Sequence, residues 1–149
     1  MTQLQRTASD AWEAMFRATS TIGRELAAGD AWGGLDGSEY GVLYALSNKP
    51  EGIRITELGE DVLLTQTGLT KLAARLVRKG LVQRVPDLDD GRATLLVLTD
   101  QGRAVQRRVG TIHAREITVA MTARLTEAEL HVLQKLCGKL SGAGRDEHG

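Results

Sequence analysis

Residues 66–98 read QTGLTKLAARLVRKGLVQRVPDLDDGRATLLVL, and the period of the apolar positions changes within that run. In its first half Leu69, Leu72, Ala73 and Leu76 follow the i, i+3, i+4, i+7 spacing of one buried helical stripe. Lys79-Gly80 closes that helix with a cation at the negative end of the helix dipole and a residue suited to a left-handed cap. Leu81–Val85 and Ala93–Leu98 then read as strands around a polar tip, Pro86 to Arg92. Two such runs about a tight turn make a β-hairpin.

Working back, Ile53–Ile55 reads as a short strand, and Thr56 as the N-cap of a helix carrying Glu57, Glu60 and Asp61. A break at Leu63–Thr65 separates it from the helix Gln66–Arg78, with Thr65 as N-cap. Before the turn Asn48-Lys49-Pro50-Glu51-Gly52 lies a helix starting near Ser38, with Tyr40, Leu43, Tyr44 and Leu46 on its apolar face. A first helix over about 3–28 carries Leu4, Ala8, Ala11, Trp12, Met15 and Ile22 on one side and ends at Gly29-Asp30.

Working forward, Thr99-Asp100 caps a helix running to about Thr122. Thr126 and Glu129 form a capping box for a last helix, with Leu125 set to pack on Leu130 as a staple. That helix continues through Leu133, Leu136, Cys137 and Leu140 and stops at Gly142, and residues 141–149 read as a disordered tail. The fold expected is mainly α with a small β-hairpin wing: a winged helix-turn-helix over about 38–98, flanked by helices over about 3–28 and 100–140.

The totals fit one domain. The chain has 149 residues, 42% hydrophobic and 26% charged, with 3% aromatics, so aliphatic side chains build the core. The formal net charge is +0, which does not suit a globally basic polyanion binder. Its distribution does: Val62–Val85 holds no acid but contains Lys71, Arg75, Arg78, Lys79 and Arg84. With one cysteine no intrachain disulfide forms, and on the apolar stripe Cys137 is expected to be a buried structural thiol. The polar start, Met1–Asp10, carries no signal-peptide pattern, and no apolar run reaches membrane-spanning length, so the expected location is cytoplasmic. His113, His131 and His148 are too dispersed for a metal site, and His131 with Glu127 reads as a surface pair. No nucleophile elbow, phosphate-cradling loop or cofactor motif occurs, which argues against an enzyme.

A helix-turn-helix braces one helix so that its polar side enters the DNA major groove. On that side of the helix 66–78 the amide of Gln66 suits an adenine edge, and Thr67 and Thr70 suit base edges or a thymine methyl. Lys71, Arg75 and Arg78 suit guanine edges or phosphates, and Thr65 opens a helix N-terminus that favours a phosphate. At the hairpin tip Arg92 stands among Asp87, Asp89 and Asp90. One reading has Asp90 pair with and orient Arg92 toward the negative minor groove; the other is a plain acidic solvent-facing turn.

The runs Ser38–Leu46, Ile55–Gly59, Thr67–Leu72 and Arg78–Arg84, and above all Asp90-Gly91-Arg92-Ala93 followed by Leu98-Thr99-Asp100-Gln101-Gly102, resemble the MarR family of regulators. The resemblance runs from about Trp12 to Leu140. It implies a homodimer held by the terminal helices, a palindromic DNA operator, recognition helix Gln66–Arg78 and wing arginine Arg92. It further implies a repressor released by a small aromatic or phenolic ligand. Gly91 stands where the family often has a basic residue, which implies a weaker wing contact. Trp12, Phe16, Tyr40, Tyr44 and His113 are the candidates to line an effector pocket, with core or interface packing as the alternative, and Trp32 is a lid or a surface plug. The competing functional reading is a winged-helix protein-interaction module without sequence-specific DNA binding.

Overall fold

The computed structural model describes residues 1–29, 32–61 and 66–142. The elements are α1 (Gln3–Ala27), α2 (Gly37–Ser47), β1 (Ile53–Arg54), α3 (Ile55–Asp61), α4 (Gln66–Arg78), β2 (Val82–Pro86), β3 (Thr94–Leu98), α5 (Asp100–Thr122) and α6 (Glu127–Ser141). The proposed break at Leu63–Thr65, the Thr65 cap and the tail beyond Gly142 lie outside the described residues. The chain divides into two compact units: one between Gly29 and Ala114, the other formed by α1, the part of α5 from Arg115 onward, and α6.

The first unit is a winged helix-turn-helix around one aliphatic core. Val42, Leu43 and Leu46 from α2, Leu58 from α3, and Leu69, Leu72, Ala73 and Leu76 from α4 meet Ile53, Leu81, Val82, Leu96 and Leu98 there. The sheet has order β1-β3-β2, all antiparallel. In β3, Leu96 and Leu98 are buried while Leu95 and Val97 beside them are only half-buried, as strand alternation requires. Leu96 lies opposite Ile53 on one side and Arg84 on the other, so the hairpin is extended by a third strand.

Local chemistry sets the ends. The cap of α2 is Asp36, two residues before the expected cap Ser38: its carboxylate accepts the Glu39 N–H at 2.8 Å, and Glu39 Oε1 accepts the Asp36 N–H at 3.1 Å. Thr56 is likewise no cap. Ile55, expected to end the strand, is the first residue of α3, because β1 pairs only two residues with β3. At the end of α4 the Gly80 N–H reaches the Val77 carbonyl and the Leu81 N–H the Leu76 carbonyl, both at 3.0 Å. This is a Schellman closure, and Gly80 takes the φ of +74° that it needs. Thr99 starts α5 by accepting the Gly102 N–H at 2.9 Å while donating to the Gly80 carbonyl at 2.6 Å. A Cβ at residue 102 would lie 1.9 Å from the Leu81 carbonyl oxygen, so only glycine fits this joint.

In the second unit, Thr2 and Gln5 form a capping box on α1, and Thr126 and Glu129 form one on α6. Arg124, after α5, pairs with Glu25 of α1. Neither α1 nor α6 has a fully buried residue. Cys137, expected inside, is exposed, because the apolar side of α6 on which it lies is uncovered in the chain: Leu136 and Leu140 are 52% and 73% exposed. Among the described residues no helix is long and apolar enough to cross a membrane.

Candidate nucleic-acid interface

The inner side of α4 is closed by Leu69, Leu72, Ala73 and Leu76, each 3% exposed or less. That burial fixes which side faces out. Thr67, Thr70, Lys71, Arg75 and Arg78 are exposed. Thr65 and the side chain of Gln66 lie outside the described residues. The arrangement offers hydroxyls and a cation on one rigid helical face, which suits base edges and phosphates together.

Arg75 has a second set of partners that spacing did not suggest. Its guanidinium lies 3.3 Å from Asp36 Oδ2 and 3.6 Å from Glu39 Oε2. Lys79 Nζ donates to Glu39 Oε2 at 2.6 Å and to the Gly34 carbonyl at 3.3 Å. The Glu39 carboxylate is buried, and a buried charge is tolerated where cations and N–H donors surround it. These contacts tie the last turn of α4 to the first turn of α2. Arg75 and Lys79 therefore set the pose of α4, whereas Lys71 and Arg78 meet no carboxylate among the described residues.

The wing resolves the puzzle of its acids. Arg54, on β1, donates to Asp87 Oδ2 from Nε at 3.1 Å and from its terminal nitrogen at 2.7 Å. Asp90 Oδ2 lies 3.7 Å from the same guanidinium. The Arg54 hydrogen bond, helped by the Asp89 N–H, holds the Asp87 carboxyl below the usual carboxylate range, and the pairing raises Arg54 in turn. Asp87 Oδ1 also accepts the Asp89 N–H at 3.0 Å, making an Asx turn. Asp90 does not pair with the Arg92 side chain, as one reading of the tip required. Its Oδ1 accepts the Arg92 backbone N–H at 3.1 Å, because its other oxygen faces Arg54. Two of the three tip acids thus shape the turn, Asp87 half-buried and Asp90 at the surface, and Arg92 is left exposed. Arg54 was missed in the sequence because the signal is a pairing with residues 33 positions away.

Of the effector candidates, Tyr40, Tyr44 and His113 come together. Tyr40 and His113 lie 5.3 Å apart by ring centroids, and Tyr40 and Tyr44 lie 6.2 Å apart. Trp32 joins them at 4.7 Å from His113 and 5.5 Å from Tyr40. The Nδ1 of His113 is buried and finds no hydrogen-bond partner among the described residues. Trp12 and Phe16 belong to the other unit and are 64% and 63% exposed. At the other end of α2 a groove of about 290 Å³ is lined by Leu46, Ser47, Pro50, Leu98, Arg103, Gln106 and Arg107.

A sequence profile described as MarR family matches residues 33–93. The multiple antibiotic resistance protein MarR of Escherichia coli (strain K12) is 33% identical over 84 residues, 56% of this chain and 58% of that one, so the match spans little more than half of that curated relative. The PcaV transcriptional regulator of Streptomyces coelicolor, solved with its natural ligand, superposes with a TM-score of 0.68 at 29% identity over 96% of this chain and 97% of that one. Sco3205, a MarR family transcriptional regulator of Streptomyces coelicolor solved in complex with DNA, gives 0.77 at 24% identity over 95% of this chain and 89% of that one, a likeness of fold.

Proposed function

We propose that this chain, whose residues 33–93 match the MarR family profile, is a member of that family acting as a homodimeric, DNA-binding transcription regulator, a repressor whose operator is palindromic. The observation that carries the reading is the outward set of α4 and the wing. Thr67, Thr70, Lys71 and Arg78 face out opposite a sealed aliphatic core, while the wing engages Asp87 with Arg54 and Asp90 with the turn and leaves Arg92 exposed. In this reading α4 lies in the major groove and Arg92 in the adjacent minor groove.

Dimerisation is supported by α1 and α6. Leu4, Trp12 and Phe16 on α1, and Val132, Leu136 and Leu140 on α6, are each more than half exposed. A second copy would remove this surface from water, and twofold symmetry then repeats the DNA site on two half-sites. The PcaV structure, solved with its natural ligand, supports a small-molecule ligand for this chain too, and the family resemblance points to a small aromatic or phenolic acid. The ring cluster of Trp32, Tyr40 and His113 offers it stacking faces, and the unpartnered His113 Nδ1 a polar contact.

The test is recovery of genomic fragments retained by the purified protein, followed by a salt titration on the recovered duplex. The expected result is a shared inverted repeat and an affinity that falls steeply and log-linearly with salt. A protein-interaction module would retain no common sequence, and that outcome would overturn the proposal.

A further inference from the structure

Among the exposed side chains of the wing tip, Leu88, Asp89, Asp90 and Arg92, one is a leucine. Leu88 is 99% exposed, the most exposed large apolar side chain among the described residues. The others above half exposure lie on α1, α5 or α6, apart from Met1 at the terminus and Tyr44, whose ring lies beside Tyr40. Leu88 has no apolar neighbour to explain it.

The turn that carries it is over-determined. Asp87 donates its N–H to the Ala93 carbonyl at 3.0 Å, and Ala93 donates to the Asp90 carbonyl at 2.9 Å. The Asp87 carboxylate holds the Asp89 N–H and the Arg54 guanidinium, and the Asp90 carboxylate holds the Arg92 N–H. Leu88 is the central residue of the Asx turn, so its backbone is pinned on both sides.

The charges at the tip give the apolar group a task. Asp87 is drawn in by Arg54, so the exposed charges of the tip are Asp89, Asp90 and Arg92, two acids against one cation, with Asp90 also 3.7 Å from the Arg54 guanidinium. Their sum gives the tip little net attraction for phosphate. A minor groove also offers apolar surface along its deoxyribose walls, and leucine is among the apolar side chains that minor-groove binders bring into that groove.

We infer that Leu88 is a second wing contact, packing on the deoxyribose wall of the minor groove that Arg92 enters. The inference rests on the proposed DNA-binding function. Removing most of the leucine side chain from such a contact weakens binding by about tenfold or more. The loss is independent of salt, because no counterion is released by an apolar contact.

The experiment measures affinity for the recovered operator duplex across a salt series, for the wild-type protein and for Leu88→Ala, Leu88→Met and Arg92→Ala. Leu88→Ala should lose about tenfold at every salt concentration with the wild-type slope, and Leu88→Met should regain most of the affinity. Arg92→Ala should flatten the slope by about 0.9. Unfolding midpoints should not move, since Leu88 covers nothing. Wild-type binding with Leu88→Ala within twofold of it overturns this inference and leaves the proposed function standing. A wild-type protein that binds no duplex overturns both. Loss of self-association in Leu88→Ala would place Leu88 against protein and also overturn it.

Discussion

At the scale of single residues, the ion pair between Arg54 and Asp87 shapes the wing. The guanidinium holds the Asp87 carboxyl low, so the folded protein keeps it ionised to lower pH than the unfolded chain does. The pair's contribution to stability is complete above the ordinary carboxylate range and fades as pH falls through the depressed value. In Arg54→Gln the Asp87 titration, followed by carboxyl carbon NMR, should move up toward the ordinary range. The variant should also lose less stability on acidification than the wild type. An unmoved Asp87 titration would show that the turn amides alone hold it. Gly91 makes the opposite case. A Cβ there meets nothing within 4 Å and the backbone is not left-handed, so Gly91→Arg costs little structurally. It should restore the cation that the family often carries, tightening operator binding several-fold and steepening the salt slope by about 0.9. Equal slopes for the two proteins would place the tip away from phosphate.

At the scale of elements, what the sequence disclosed follows from how far apart the interacting residues lie. The stripe Leu69, Leu72, Ala73 and Leu76 is local and periodic, and all four residues are buried. The box Thr126–Glu129 and the Thr99 start of α5 are also local. Asp36 and Glu39 carried the same box pattern, overlooked beside Ser38. By contrast, the third strand, the Arg54 clamp and the Glu39–Lys79 pair join segments 33 to 43 residues apart, and no periodicity encodes them. The outward orientation of Thr67, Thr70, Lys71 and Arg78 was therefore legible, but the ion pairs that fix the pose of α4 were not. The stripe yields its own prediction. Leu72→Ala should cost about 2–5 kcal/mol in denaturant unfolding, since Leu72 is 3% exposed at the centre of the helix-turn-helix core. A cost under about 1 kcal/mol would mean that α4 is not braced as described.

At the scale of the whole molecule, spacing showed which side of α1 and α6 is apolar but not what covers it. Cys137 was placed inside on that basis and is exposed. The proposed dimer accounts for the surface, and it can be broken selectively. Leu136→Asp puts a charge on the apolar side of α6 at a position 52% exposed in the single chain, so the fold between Gly29 and Ala114 should survive. Sedimentation equilibrium should then report a monomer where the wild type is a dimer. Operator affinity should fall by two orders of magnitude or more as the gain from joining two half-sites is lost. A dimeric Leu136→Asp protein would remove α6 from the interface.

The tight joint at Gly102 has a practical reach for anyone randomising this protein. A library saturated at codon 102 should return glycine alone among its well-expressed members, since any larger residue drives its first carbon into the Leu81 carbonyl and pries the hairpin from the start of α5. Codon 91, eleven positions earlier, should accept nearly the full alphabet. Two glycines indistinguishable in a sequence string would then separate cleanly in one pooled selection, one a hinge pin and the other an open address for new specificity.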